Sequence, residues 1–384
     1  MKRLLLGSLL SVSLGFPIAF EYPYIYKDPR VMGMGGAYVA VGGTSASLFY
    51  NPAGIGKIKK EAGFEVDLIG VTAAVSKDGY KFLQDFQDAL DTGDLDGDGD
   101  TSDDQLEATL DVLKEYRGKV LHFSVDTFPS VARRFGNLGV ALGGIAVLKF
   151  DAVPHQGFSS QGLLSVDTSL TYGGVGGLSY GFLNEKLTLG VGIKQLSREL
   201  VQKDFTAREL VENQDDLDNY INDEVKKSGS ATGVDVGVIY DLAEIFGFKA
   251  SVGASYMNIG DLDFGEAGNI PGTLNAGLAL KKEGSSAFLS GVTLALDVVD
   301  LTKNYEQDED WGKRLRAGAE LKVWNGKLSD FILRVGSYQG YLTAGAELRF
   351  LLLRVVATTY AEEVGAYSGQ DENRRYMLSA YITW

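Results

Sequence analysis

The sequence predicts an all-β fold, a transmembrane antiparallel β-barrel of about fourteen strands, and three observations carry that reading. Apolar and polar residues alternate with period two from about Glu61 to the end of the chain, the period at which successive strand side chains point to opposite faces. Long connections alternate with short ones, as they do in outer-membrane barrels. The chain closes on Tyr376-Met377-Leu378-Ser379-Ala380-Tyr381-Ile382-Thr383-Trp384, an alternating strand that stops on an aromatic residue.

At the amino terminus, Met1-Lys2-Arg3 is basic, Leu4 to Ile18 is apolar, and Ala19 is small. That order predicts a secretory signal over 1–19, with Phe20 opening the mature chain. The apolar run is too short to span a bilayer, and no later stretch approaches 18 consecutive apolar residues, so no transmembrane helix is expected. With 0 cysteines and 2 histidines, disulfides, cysteine nucleophiles and the usual zinc sites are excluded together. A net charge of −15 argues against nucleic acid, which needs a basic face. The 49 glycines, 7 prolines, 19 tyrosines, 19 phenylalanines and near-zero mean hydropathy suit a wall with one lipid face and one watery face. Composition alone also fits a secreted β-sandwich; strand count and loop lengths decide against it.

The alternation is plainest in Leu342 to Phe350, where Leu342, Ala344, Ala346, Leu348 and Phe350 share one face and Thr343, Gly345, Glu347 and Arg349 the other. Candidate strands fall near 61–76, 118–134, 137–150, 162–182, 186–202, 229–241, 247–260, 272–282, 286–300, 312–324, 328–338, 340–350, 351–362 and 373–384. Long connections follow the odd strands, as at 77–117, 151–161 and 203–228. Short ones follow the even strands, as at Gly136-Asn137, Leu183-Glu185 and Asn325-Lys327. The turn near Phe350-Leu351 has no Gly, Asn or Pro to mark it. The inward polar residues Arg316, Glu320, Lys322, Glu347, Arg349 and Arg354 are expected to line the lumen.

Two insertions, near 78–117 and 204–228, read as helical. In the first, Phe82, Leu83, Phe86, Ala89 and Leu90 form one stripe. In the second, Thr206-x-x-Glu209 is a capping-box pattern and Lys226-Lys227-Ser228-Gly229 a helix end. Both follow odd strands and belong with the long loops. Within the first, Asp94, Asp96, Asp98 and Gly99 match the opening of an EF-hand loop, and Asp100 adds a fourth carboxylate. A calcium site is expected there, although Gln105 at the twelfth place cannot give a bidentate carboxylate. The bland reading is a solvated acidic turn.

Between the signal and the first strand lies Arg30-Val31-Met32-Gly33-Met34-Gly35-Gly36-Ala37-Tyr38-Val39-Ala40-Val41, followed by Thr44 to Ile55 with Asn51-Pro52-Ala53-Gly54 at its end. The block lacks Gly-Lys-Ser/Thr, so it is not a nucleotide loop. It closely resembles the start of the FadL-type outer-membrane transporters of long-chain fatty acids and other hydrophobic compounds, and of the related PorV-like and TraF-like barrels. The carboxy-terminal ending likewise resembles the signal by which bacterial outer-membrane barrels are recognised for insertion. The resemblance implies a hatch over 20–60 that plugs a fourteen-stranded barrel over 61–384, with Gly33, Gly35, Gly36, Asn51, Pro52 and Ala53 in the hatch motif. It also implies a place in the outer membrane of a Gram-negative-type bacterium, among its lipids, with no required cofactor. Passive uptake of hydrophobic small molecules is the leading expectation. The runner-up is a PorV-like role with secreted protein partners.

Gly173, Gly174, Gly176 and Gly177 crowd one strand, and Gly139, Gly143 and Gly144 its neighbour. Two readings stand: a kink that opens the wall sideways, or simple room for the hatch. His122, Ser124 and Asp126 share one strand face, but Leu121, Phe123 and Val125 take the lipid side, which turns His122 inward and argues against a lipid esterase. His155 reads as a surface loop residue. No enzymatic activity is expected.

Overall fold

The computed structural model describes residues 21, 23–90, 108, 111–155, 164–205, 225–284, 289–305, 310–326 and 328–383. The strands are β1 (Phe64–Ser76), β2 (Leu121–Thr127), β3 (Ser130–Phe135), β4 (Leu138–Pro154), β5 (Leu164–Phe182) and β6 (Leu187–Phe205). Next come β7 (Lys227–Asp241), β8 (Lys249–Met257), the short β9 (Leu262–Asp263) and β10 (Asn269–Ile270), β11 (Thr273–Glu283) and β12 (Gly291–Val298). The last five are β13 (Leu315–Asn325), β14 (Ser329–Tyr338), β15 (Tyr341–Phe350), β16 (Leu353–Glu363) and β17 (Glu372–Thr383). Helices α1 (Pro29–Gly33), α2 (Ser47–Tyr50) and α3 (Lys77–Leu90) accompany them, and residues 111–115 are helical as well.

All wall pairings are antiparallel, and β17 returns to β1, from Ser76 opposite Arg375 to Asp67 opposite Thr383. The sheet closes as a fourteen-stranded barrel in which β2 and β3 together fill one wall position. Closure matters because an unpaired strand edge has no hydrogen-bond partner in lipid. Along β17, Tyr376, Leu378 and Ile382 are exposed on the outside, whereas Met377, Ser379 and Tyr381 are buried inside. The predicted alternation thus sorts lipid-facing from lumen-facing residues.

The strand predicted over 118–134 is broken. No ladder joins Phe128-Pro129 to either neighbour, and β1 shifts register between Asp67 and Ile69 at the same level. Pro129 has no N–H to offer a ladder, so an interior strand cannot run through it. Leu121, expected toward lipid, is instead buried with Tyr116 and Ala152. The first insertion opens directly on β1: the Ser76 hydroxyl accepts from the Gly79 amide at 3.0 Å and caps α3. Phe82 packs edge-on to Tyr116 at 5.4 Å, while Leu83 of the same predicted stripe faces outward. The β9–β10 hairpin folds back into the barrel mouth, burying Leu262, Phe264 and Ile270 with Leu196, Leu200 and Ala231.

Candidate functional site

Residues 23–58 fill the lumen, and the wall is cut to receive them. Asn51 ends α2 in an extended conformation and is 1% exposed. Its amide nitrogen donates to the carbonyls of Val39 (2.8 Å), Val238 (3.2 Å) and Ala254 (3.3 Å), and its oxygen accepts from the Ala53 amide at 3.0 Å. One asparagine therefore ties two hatch turns to two wall strands, which neither Asp nor Leu could do. Pro52, without an N–H, opens the 3₁₀ turn that follows. A Cβ on wall Gly237 would lie 1.9 Å from the Asn51 side-chain oxygen, and one on Gly190 would lie 2.2 Å from the Ala53 nitrogen.

The Gly33-Gly35-Gly36 end is held in the same way. Gly35 adopts φ +65°, and its Cβ would meet the Ala317 carbonyl at 2.3 Å; on the wall, a Cβ on Gly318 would meet the Met34 carbonyl at 2.1 Å. Wall side chains complete the bonding. Asp297 accepts from the Tyr38 and Val39 amides (2.5 and 2.8 Å), and Ser251, Ser255, Thr343 and Thr358 donate to the carbonyls of Ala40, Tyr50, Gly33 and Pro29. The charges singled out in the sequence mostly pair within the wall: Arg334 with Glu320 and Glu347, Arg349 with Asp330, Arg354 with Asp67.

The broken wall position faces the other flank of the hatch. Gly143 and Ser130 are paired, Ala146 and Thr127 are paired, and between them Gly144 only donates to the Pro129 carbonyl at 3.0 Å. Across β4, Gly144 and Ile145 stand opposite Gly174 and Gly173. Outside the break lies a depression of about 680 Å³ bounded by Leu68, Val131, Leu142, Gly174, Gly176 and Ile193, with Asp67 and Ser130 at its edge. Inside, Phe128 closes it by packing on Tyr26 and Phe49, with ring centroids 5.4 and 4.9 Å away. The Ser130 hydroxyl bonds that of Ser45 at 2.9 Å.

The four singled-out glycines divide between the two readings. A Cβ on Gly177 would strike Leu48 and Ile55 of the hatch (2.7 and 2.9 Å), so this glycine makes room. Gly173, at φ +155°, and Gly174, with nothing within 4 Å of its Cβ direction, stand at the break; Gly176 lies under Leu142 on the lipid side. The break itself was missed from sequence, though Pro129 inside a predicted strand was its signal.

Two charged regions flank the hatch. At the long-loop end, Glu21 pairs with Lys149 (2.9 Å), Arg375 (3.2 Å) and Lys27, and Lys27 pairs with Glu362 (2.6 Å). Burial opposes ionisation of Glu21, yet Arg375, Lys149 and Lys27 together hold its carboxyl well below the usual range. His122 points inward, its Nδ1 2.7 Å from Asp151 and its Nε2 3.3 Å from Arg375, so both ring nitrogens are engaged away from Ser124. Glu21, His122 and Asp151 are close enough to share a metal ion, but the cations among them already balance the carboxylates. His155 is exposed, as expected, and its Nε2 meets the Ser165 hydroxyl at 2.6 Å. At the short-turn end, a vestibule of about 860 Å³ is lined by Lys57, Lys281, Lys322, Asp241, Glu320 and Glu347 among others.

The aspartate loop with Asp94, Asp96, Asp98 and Asp100, the 1–19 signal, Trp384 and the centre of the 204–228 insertion lie outside the described residues.

No family model matches the sequence, and no curated protein matches it either. Among solved structures, the fold is similar to that of a TodX deltaS2S3 mutant monoaromatic hydrocarbon channel, with a TM-score of 0.52 and 10% identity, over 93% of this chain and 98% of that one. It is similar, too, to the Ralstonia pickettii toluene transporter TbuX, with a TM-score of 0.52 and 13% identity, over 93% of this chain and 97% of that one. At these identities the likeness is one of architecture: this chain has the fold of the FadL-type outer-membrane transporters.

Proposed function

We propose that the chain is an outer-membrane channel for hydrophobic small molecules, which enter passively at the long-loop end and leave sideways through the wall at Phe128-Pro129. The observation that carries this reading is the break itself. It joins an apolar depression on the lipid face to an aromatic contact with the hatch. The straight path fits such a cargo less well, because beyond the hatch it crosses a vestibule whose apolar lining is interrupted by lysines and carboxylates, so an apolar molecule gains less there than at the apolar depression. The cargo class agrees with the names of the structural neighbours, a monoaromatic hydrocarbon channel and a toluene transporter. Long-chain fatty acids are a second cargo of the same chemistry.

The test is uptake of radiolabelled toluene and oleate by cells expressing the chain, compared with a Gly174→Phe variant. No atom lies within 4 Å of the added Cβ, so the ring fills the depression without forcing the wall apart. Uptake is expected to fall about tenfold while the variant, like the unmodified protein, migrates differently on gels when unheated, the gel shift expected of a closed barrel that resists detergent unfolding. Unchanged uptake of both cargoes would overturn the lateral route. A large, cargo-independent ion conductance in the unmodified protein would overturn the channel reading as a whole.

A further inference from the structure

The two rims of the barrel differ in a way that transport does not require. Among the described residues, the non-glycine positions with positive φ at the long-loop rim are Asn258, Asp261, Asp300, Lys303 and Gln339, all polar. At the short-turn rim they are Leu183, Asn184, Glu185, Phe246, Leu289 and Leu351. A bulky apolar residue is the least suited to that backbone conformation, and a turn tip in water gives it no reason to be there. Yet Leu183 is 66% exposed and Phe246 94% exposed, with Leu289, Leu328, Leu351 and Leu352 also on the surface. Both local conformation and solvent argue for Gly, Asn or Asp at these tips, so something outside the chain must favour the apolar side chains.

The position of the tips says what that is. They continue the lipid-facing wall, since Phe182 and Phe350, next to Leu183 and Leu351, are exposed outward-facing residues of β5 and β15. At the same rim the Arg133 guanidinium sits 4.3 Å from the Phe64 ring centroid and 4.8 Å from that of Phe135, and the Lys282 ammonium 5.3 Å from that of Phe248. Aromatic rings with a cation beside them are the side chains that settle at a membrane–water boundary.

We propose that the short-turn rim is a lipid-anchoring surface. The tips at Leu183, Phe246, Leu328 and Leu351 insert into the headgroup–acyl boundary of the leaflet at that end, and Arg133 and Lys282 face its phosphates. The barrel then sits with its short turns in the leaflet, not clear of it, and the apolar side chains are retained because lipid, not water, surrounds them. The inference rests on the chain being a transmembrane barrel and is independent of its cargo.

The chain has no cysteine, so single labels can be placed without removing any. Spin labels at Phe246→Cys and Leu351→Cys are compared in phosphatidylethanolamine–phosphatidylglycerol vesicles with Leu378→Cys on the wall and Lys303→Cys at the other rim, each variant first checked for the gel shift of a folded barrel. Relaxation by oxygen is expected to exceed relaxation by a water-soluble nickel chelate at 246, 351 and 378, with the reverse at 303. If 246 and 351 behave like 303 while 378 reports lipid, the anchoring is overturned and the tips are left for a protein partner. If 378 also reports water, the membrane barrel itself is overturned.

Discussion

The hatch meets the wall in two different ways. Toward β6, β7, β13 and β14 the contact is backbone against backbone. Gly190, Gly237, Gly318 and Gly336 leave no space for a Cβ, and Asn51 and Asp297 close the hydrogen bonds. Toward the break, Tyr26, Phe49 and Phe128 meet ring against ring, Phe49 edge-on to Phe128 and Tyr26 tilted against both, with one hydroxyl pair between Ser45 and Ser130. A backbone seat fixed by glycines has no alternative arrangement, whereas aromatic side chains can change rotamer while the chain stays in place. The difference teaches where opening is cheap: a passage can form at the break without lifting the hatch from its seat.

The strongest way to break that comparison is to fill the seat. Gly237→Leu puts a Cβ where the Asn51 oxygen lies, and the wall backbone cannot yield without losing ladders on both sides. The hatch should leave its seat while the barrel still closes. The gel shift should persist, residues 33–53 should become open to protease, and a steady ion conductance should appear. A variant with protease resistance and conductance like those of the unmodified protein would show that the seat is loose and the comparison empty.

Phe128→Ala attacks the other flank. Removing a buried ring from an aromatic cluster costs about 3 kcal/mol, less if the site collapses. Because the hatch remains seated, the expected outcome is local: faster uptake of apolar cargo, no ion conductance and no new protease site within 33–53. Conductance of the kind expected for Gly237→Leu would mean that both flanks hold the hatch equally.

Asn51→Ala should fall between local and global. It leaves the Val39, Val238 and Ala254 carbonyls and the Ala53 amide short of a partner, for a loss of about 2 kcal/mol in hatch seating. Hydrogen exchange of the 38–54 amides should accelerate about thirtyfold while wall amides stay protected.

Much of this architecture was legible because alternation is a local signal. Thirteen of the predicted strands correspond to continuous strands, and even the unmarked turn near Phe350 is present, with Leu351 at φ +55° where Gly or Asn would have announced it. The Asn51-Pro52-Ala53 motif was legible through resemblance. The seat was not. Which glycine of Gly173, Gly174, Gly176 and Gly177 faces a hatch residue and which faces the break depends on register across β4 and β5, and one residue's slip would exchange the roles. Asp297 was hidden for a similar reason: its partners Tyr38 and Val39 are far away in sequence.

The smallest expected effect concerns acid, and it sharpens the seat to one group. Asp28 caps α1, accepting from the Arg30 and Val31 amides at 2.9 and 3.3 Å, and pairs with the Arg30 side chain at 2.9 Å. Burial raises its carboxyl's pKa, but the Arg30 charge and hydrogen bond, Arg354 and the Val31 amide outweigh it and leave the pKa lowered. A lowered folded value means that the ionised form stabilises the hatch. That contribution is complete above the ordinary aspartate value of about 3.9 and is lost as pH falls through the depressed one. Other groups titrate too, so the informative quantity is the difference between the unmodified protein and Asp28→Asn. Amide protection at 29–34 should differ by a constant factor of about five from pH 7 down to about 4, by analogy with other caps, and the two should converge below that. A gap that closes already between pH 7 and 5 would assign the anchoring charge to a different group, and α1 would then owe its place to the glycines alone.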